Sequence, residues 1–142
     1  MPDSKCNCEC DCGSSSNSCD TDCVTNDAPS SVYACVGASN VGIISLDLTI
    51  ALHKAGRYKM GCSVCVGAGD CSCGEAFDAK TPKDLLIDGC KVACLKKMFD
   101  KQGKTNYNHV IITQLGVKKE GTFDYDRDLI PKLMEKLSVK GL

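Results

Sequence analysis

The sequence predicts a three-layer α/β domain: a mostly parallel, four-stranded sheet flanked by helices in the Rossmann-like or flavodoxin-like manner, preceded by a flexible cysteine-rich arm. Three observations lead there. From residue 31 onward, short apolar runs suited to buried strands alternate with amphipathic stretches, and that alternation implies parallel strands joined by right-handed crossovers. Gly56 and Gly103 stand where two helical patterns stop, the place a helix-ending glycine occupies. Residues 1–30 have a different composition, with runs such as Gly13-Ser14-Ser15-Ser16-Asn17-Ser18 and almost no apolar side chains besides thiols. Such a segment cannot offset the entropy of ordering by burial unless a metal organises it. With 142 residues, the chain has room for one core.

Taken in order, Ser31 to Val36 is a short run for a buried strand, and Gly37 to Gly42 follows as a turn. Ile44, Leu48, Ala51, Leu52 and Ala55 then recur on one helical face. Tyr58 to Val66 reads as a second strand running into a loop, and Asp70 to Asp78 is ambiguous, with room for a short helix. Asp84 to Asp88 is the third strand. A helix is expected from about Cys90 to Lys101, with Val92, Leu95 and Phe99 as its stripe. His109 to Thr113 is the fourth strand. The last helix spans about Asp128 to Leu137, and Pro131 fits only because first-turn amides lack partners inside the helix.

The bulk numbers exclude several classes. The formal charge of -1 hides an asymmetry: residues 1–30 hold six acids against one base, net -5, and the rest is net +4. A charge of +4 spread over a domain, with no basic stripe and no Trp, does not suit a nucleic-acid binder. No apolar stretch approaches the roughly 20 residues that span a bilayer. The first Met is not followed by a basic segment and an apolar one, so no secretory signal is expected and the cytoplasm is the expected compartment.

Thirteen cysteines dominate the composition. A disulfide scaffold is disfavoured by the expected compartment, by the odd number, and by spacings as tight as Cys6-Asn7-Cys8. In open α/β sheets, functional groups gather beyond the carboxyl ends of the strands. Cys35 lies near the end of the first strand, Cys62 in or after the second, Cys90 after the third, and Cys94 four residues further on. Four thiolates brought to one edge of a sheet suit a tetrahedral Zn²⁺ of the structural kind. The resulting formal charge of -2 would be eased by a helix amino end and by Lys118 and Lys119.

Four segments carry a resemblance. They are Cys35-Val36-Gly37-Ala38-Ser39-Asn40-Val41-Gly42, Lys59-Met60-Gly61-Cys62, Ile87-Asp88-Gly89-Cys90-Lys91-Val92-Ala93-Cys94 and Thr113-Gln114-Leu115-Gly116-Val117-Lys118-Lys119. In this order the chain resembles the DGC-domain family over about residues 31–138. That family is named for its Asp-Gly-Cys motif, and zinc binding is proposed for it on four recurrent cysteines. The resemblance implies Cys35, Cys62, Cys90 and Cys94 as ligands and implies no settled activity.

Further thiols widen the choice. Cys65, Cys71 and Cys73 follow Cys62 closely and would replace some ligands or build a cluster. The arm carries Cys6, Cys8, Cys10 and Cys12 in alternation, then Cys19 and Cys23. Soft ligands at this density should capture Zn²⁺, Cu(I) or another thiophilic ion. The competing reading is thiol redox, sulfur transfer or an iron-sulfur cluster on the same cysteines. Cys35 with Gly37 and Gly42 also resembles the anion loop of small cysteine-dependent phosphatases. The arginine such a loop uses is missing, since the only arginines are Arg57 and Arg127. A small anion near Gly37–Gly42 remains an expectation, with Ser39, Asn40, Thr113 and the two lysines as pocket candidates. No Glu or His is placed as a general base. His53 and His109 read as lone surface or core residues.

Overall fold

In the computed structural model, residues 30–69 and 83–142 are described. The readings of the arm and of residues 70–82, Cys71 and Cys73 among them, lie outside the described residues. The elements are β1 (Ser31–Ala34), α1 (Asn40–Lys54), β2 (Lys59–Met60), α2 (Ser63–Ala68), β3 (Asp84–Asp88), α3 (Cys94–Lys101), β4 (Tyr107–Ile111), a 3-10 turn (Ile112–Leu115) and α4 (Leu129–Val139).

The sheet runs β2-β1-β3-β4, and every pairing is parallel. The chain leaves β1 for one edge, then returns to the other side of β1 as β3. The strand order therefore reverses between β1 and β3, and at such a switch point the loops beyond the strands part and leave a crevice.

Each strand face has its own core. Side chains alternate across a strand, so Val32, Leu85, Ile87 and Val110 meet Ile44, Leu48 and Leu52 of α1 and Leu133 and Leu137 of α4. On the other face Tyr33 and Leu86 meet Val66 of α2 and Leu95 and Phe99 of α3. The Phe99 ring stands edge-on to Tyr33, with centroids 4.8 Å apart, and to Tyr107 at 6.2 Å. All of β3 is buried, which is why its sequence reads as an apolar run rather than an alternation. Fully burying one such Leu or Ile contributes about 1.5–3 kcal/mol.

The structure corrects three boundaries. The second strand ends at Met60, and Gly61 after it passes so close to Tyr33 that a Cβ there would lie 2.2 Å from the ring. Cys62 then caps a short helix, its sulfur accepting from the Cys65 amide at 3.4 Å, and Gly69 ends that helix at φ +75°. The Val64 and Val66 that suggested strand are thus helical. The third helix begins at Cys94 rather than Cys90. The fourth strand starts two residues early, at Tyr107, and its expected end becomes the 3-10 turn closed by Gly116 at φ +93°. Among the described residues no helix is long and apolar enough to cross a membrane.

At the amino end of the sheet, Asp84 is buried and one of its oxygens accepts from the Ser31 amide at 2.7 Å, while Oδ2 has no partner. Burial pushes its carboxyl up to about 6, against the smaller lowering effects of that amide and of Lys104. A carboxyl raised on folding stabilises the fold most below its unfolded value and loses that contribution as pH rises through the folded one. Replacing it by a neutral isostere, Asp84→Asn, should therefore stabilise the domain at pH 7.5 by up to roughly 3 kcal/mol and make no such difference near pH 4. Urea unfolding of both chains across that range measures it, and equal slopes with pH would refute it.

Candidate metal centre

The end of β3 organises the site. Asp88 is buried, and its carboxylate accepts the Leu95 amide at 3.0 Å and the Lys96 amide at 3.1 Å. These are first-turn amides of α3, which have no partners within the helix. The negative charge also faces the positive end of the helix dipole. His109 on β4 donates from Nε2 to Asp88 Oδ2 at 2.8 Å. One side chain thus ties β3, β4 and α3 together. Between Asp88 and α3 the chain makes a tight turn, closed by Ala93 N donating to Cys90 O at 3.0 Å, with Ala93 at φ +53°. A left-handed non-glycine residue costs on the order of 1 kcal/mol, and the clamp on α3 holds it there.

Gly89 lets α1 approach. A Cβ there would meet Val41 Cγ2 at 3.0 Å and Val41 backbone at 3.1 Å. Across the crevice, Gly42 is equally constrained, since a Cβ would stand 2.6 Å from the Gly37 backbone. Fully buried Ser45 fastens the end of β1 to β3: its hydroxyl donates to Ile87 O at 2.7 Å and accepts from Cys35 N at 3.2 Å. Asn40 holds the segment after the fourth strand. Its side chain donates to Lys118 O at 2.9 Å and accepts from Glu120 N at 2.8 Å. That placement brings Lys119 Nζ to 3.6 Å from Cys90 Sγ.

The result is a pocket of about 320 Å³ at the switch point, lined by Cys35, Cys90, Cys94, Asp88, Ser39 and Lys119 together with backbone and small side chains of both loops. Cys35 and Cys90 are half-buried, Cys94 is exposed, and all three are free thiols. Burial pushes the Cys35 thiol up to about 11. The Asp88 charge and a hydrogen bond from the thiol to that carboxylate add to the rise, and the Gly89 amide opposes it. Metal-free Cys35 is therefore a protonated thiol at neutral pH.

Cys62 is free and exposed but does not line this pocket. Cys65 is disulfide-bonded. Among the described residues, no three His, Cys, Asp or Glu side chains stand at metal-holding distance. Three free thiols and a lysine thus line one pocket, and Cys62 is not among its lining residues. At the expected anion position, the amides of Asn40, Val41 and Gly42 are engaged by Glu120 O, Asn40 Oδ1 and Ser39 O. Ser39 is buried and makes no capping bond with its hydroxyl.

A family model described as the DGC domain matches residues 31–137. The chain belongs to the DGC-domain family. It is also similar to a Pseudomonas aeruginosa protein described as "Anaerobic and virulence modulator AnvM", with 30% identity over 109 residues, covering 77% of this chain and 79% of that protein. No solved structure gives a significant match. Within this DGC domain the motif divides its labour: Asp88 clamps α3, Gly89 admits α1, and Cys90 presents a thiol to the pocket.

Sequence reasoning placed Cys35, Cys62, Cys90 and Cys94 at one site; Cys62 does not line the pocket that the other three share, and Asp88, His109 and Ser45 were missed as organisers. Asp88 lies seven residues before Leu95, outside any local capping spacing, so only the folded strand end reveals it. In the metal-free chain, Asp88→Asn should lower the Cys35 thiol pKa from about 11 toward its ordinary value, because the charge and the acceptor that favour the protonated thiol weaken together. The pH dependence of Cys35 alkylation, read by mass spectrometry, checks this. An unchanged or higher midpoint would show that burial alone sets the value.

Proposed function

We propose that this DGC domain is a metal-binding module that holds a thiophilic ion, Zn²⁺ foremost, on Cys35, Cys90 and Cys94, with Cys62 completing the set. The single observation that carries the reading is that three free thiols from the ends of two adjacent strands line one pocket at the topological switch point. Thiols are the donors that soft and borderline ions prefer. Lys119 beside Cys90 supplies charge that offsets clustered thiolates. Cys62 caps the six-residue α2 with its sulfur, a light tether for a thiol that the ion would recruit from outside the pocket.

The state of Cys35 favours metal over thiol exchange. Exchange needs a thiolate nucleophile, and the metal-free thiol is pushed up to about 11. A divalent ion drives its own ligands to deprotonate. A closed four-sulfur Zn²⁺ site would supply a cross-link between β1, α2 and the β3–α3 turn and leave no coordination position for a substrate. That suits a structural, sensing or carrying role.

The test uses the full chain with the six arm cysteines changed to serine, purified without oxygen. Elemental analysis should find about one zinc per chain. Cys35→Ser or Cys90→Ser should each remove most of it while the far-ultraviolet circular dichroism stays that of the parent. Unchanged zinc in the Cys35, Cys90 and Cys94 triple serine variant would sink the proposal.

A further inference from the structure

Cys90 and Lys119 reach the pocket from different loops and meet there. Cys90 stands in the turn after β3, and Lys119 in the segment that follows β4 and its 3-10 turn. Lys119 Nζ donates to Cys90 Sγ at 3.6 Å. Among the described residues, no other side chain bonds to that sulfur and no carboxylate pairs with Lys119. The neighbouring Glu120 turns to Lys118 instead, at 3.6 Å.

Each partner has its own anchors. Buried Asn40 bonds the residues on both sides of Lys119, donating to Lys118 O at 2.9 Å and accepting from Glu120 N at 2.8 Å. The Asn40 amide also donates to Glu120 O at 3.3 Å. On the other side, Thr113 N donates to Gly89 O at 3.2 Å and Ala93 N to Cys90 O at 3.0 Å. The Asp88 clamp on α3 holds the far end of that turn. Only the lysine stem is left free to turn.

The pair lines a cavity of about 320 Å³, room enough for a molecule the size of hydrogen peroxide. Peroxide takes an accessible thiol to the sulfenic acid, an electrophile that a neighbouring nucleophile captures. The group already in contact with Cys90 is an amine rather than a second thiol.

We propose that Cys90 and Lys119 form a redox modification site, at which peroxide joins them through a single oxygen as a nitrogen–oxygen–sulfur bridge. One peroxide oxidises the thiol to sulfenic acid and leaves as water. The Lys119 ammonium gives its extra proton to water. A second peroxide then takes one hydrogen from the sulfenic acid and one from the amine, leaving as two waters while the nitrogen–oxygen bond forms. Sulfur and nitrogen together lose four electrons, and the two peroxides accept them. Four thiol equivalents reverse the bridge, giving two disulfides, water and the free pair. A bridging oxygen spans more of the 3.6 Å gap than a direct sulfur–nitrogen bond, so the two loops need move less. The bridge ties the β3–α3 turn to the segment after β4 across the pocket. On the metal-binding reading above, bridge and ion exclude each other, because both use Cys90; the bridge itself does not depend on that reading.

The experiment treats the reduced, metal-free full chain with hydrogen peroxide and maps the tryptic peptides by mass spectrometry. The expected species joins the Cys90 and Lys119 peptides with a mass gain of one oxygen less two hydrogens. It resists cleavage after Lys119 and separates in dithiothreitol. Lys119→Arg keeps the surface charge, removes the amine and should abolish the species. Oxidation of Cys90 only to a disulfide or a sulfinic acid would overturn the proposal. So would a linked species of the same mass that survives dithiothreitol, which marks a sulfinamide. Zn²⁺ bound beforehand should suppress the bridge. An equal yield with and without Zn²⁺ would remove Cys90 from the metal set and leave the bridge standing.

Discussion

The buried carboxylate of Asp88 is the constraint on which the rest of the site depends. It accepts from two orphan amides at the start of α3, binds His109 on the neighbouring strand, and adds to the rise of the Cys35 thiol pKa. Removing a buried charge's partners, or the charge itself, typically costs several kcal/mol, so these elements are coupled rather than merely adjacent. The left-handed Ala93 and the tight turn before α3 persist because both ends of that turn are held. The exposure and direction of Cys90 and Cys94 follow from that turn.

Topology supplies the second half. Parallel pairing in the order β2-β1-β3-β4 places the loops after β1 and β3 side by side and sends them to opposite faces. The crevice between them is where α/β sheets collect ligands. Here the two loops bring Cys35 from one side and Cys90 and Cys94 from the other. Gly42 and Gly89 allow α1 and its preceding loop to close on that crevice without side chains intervening. The Asn40 side chain then fixes the Lys118–Glu120 segment, which adds positive charge to the border. The Asp-Gly-Cys segment thus carries both the clamp on α3 and a thiol of the pocket.

Much of this was legible in the sequence. The strands at Ser31 and Asp84 carry buried apolar runs that admit few other readings, and α1 carries a strong core stripe. Strand-end placement joined Cys35, Cys62, Cys90 and Cys94, of which the pocket takes in all but Cys62. The errors have physical causes. Val64 and Val66 favour strand by propensity, but that stretch forms a helix capped by Cys62 and ended by Gly69. Cys94 was expected one helical turn beyond Cys90. A 3-residue-closed turn brings it near instead, held by a cap from seven residues upstream that no local pattern encodes. His109 read as a lone histidine because its partner lies on another strand.

A domain built this way keeps Cys35, Cys62, Cys90 and Cys94 free but restrained. Cys35 and Cys90 are half-buried, burial keeps the Cys35 thiol protonated, and exposed Cys62 caps a helix. Under the proposed metal-binding reading, the ion would assemble the site rather than enter one fully formed. The most direct measurement is zinc K-edge X-ray absorption on the metal-loaded full chain with the six arm cysteines changed to serine. A first shell of sulfur at roughly 2.3 Å, with at least three sulfurs and losing sulfur in the Cys90→Ser chain, is the predicted result. A shell of oxygen and nitrogen alone would contradict the account.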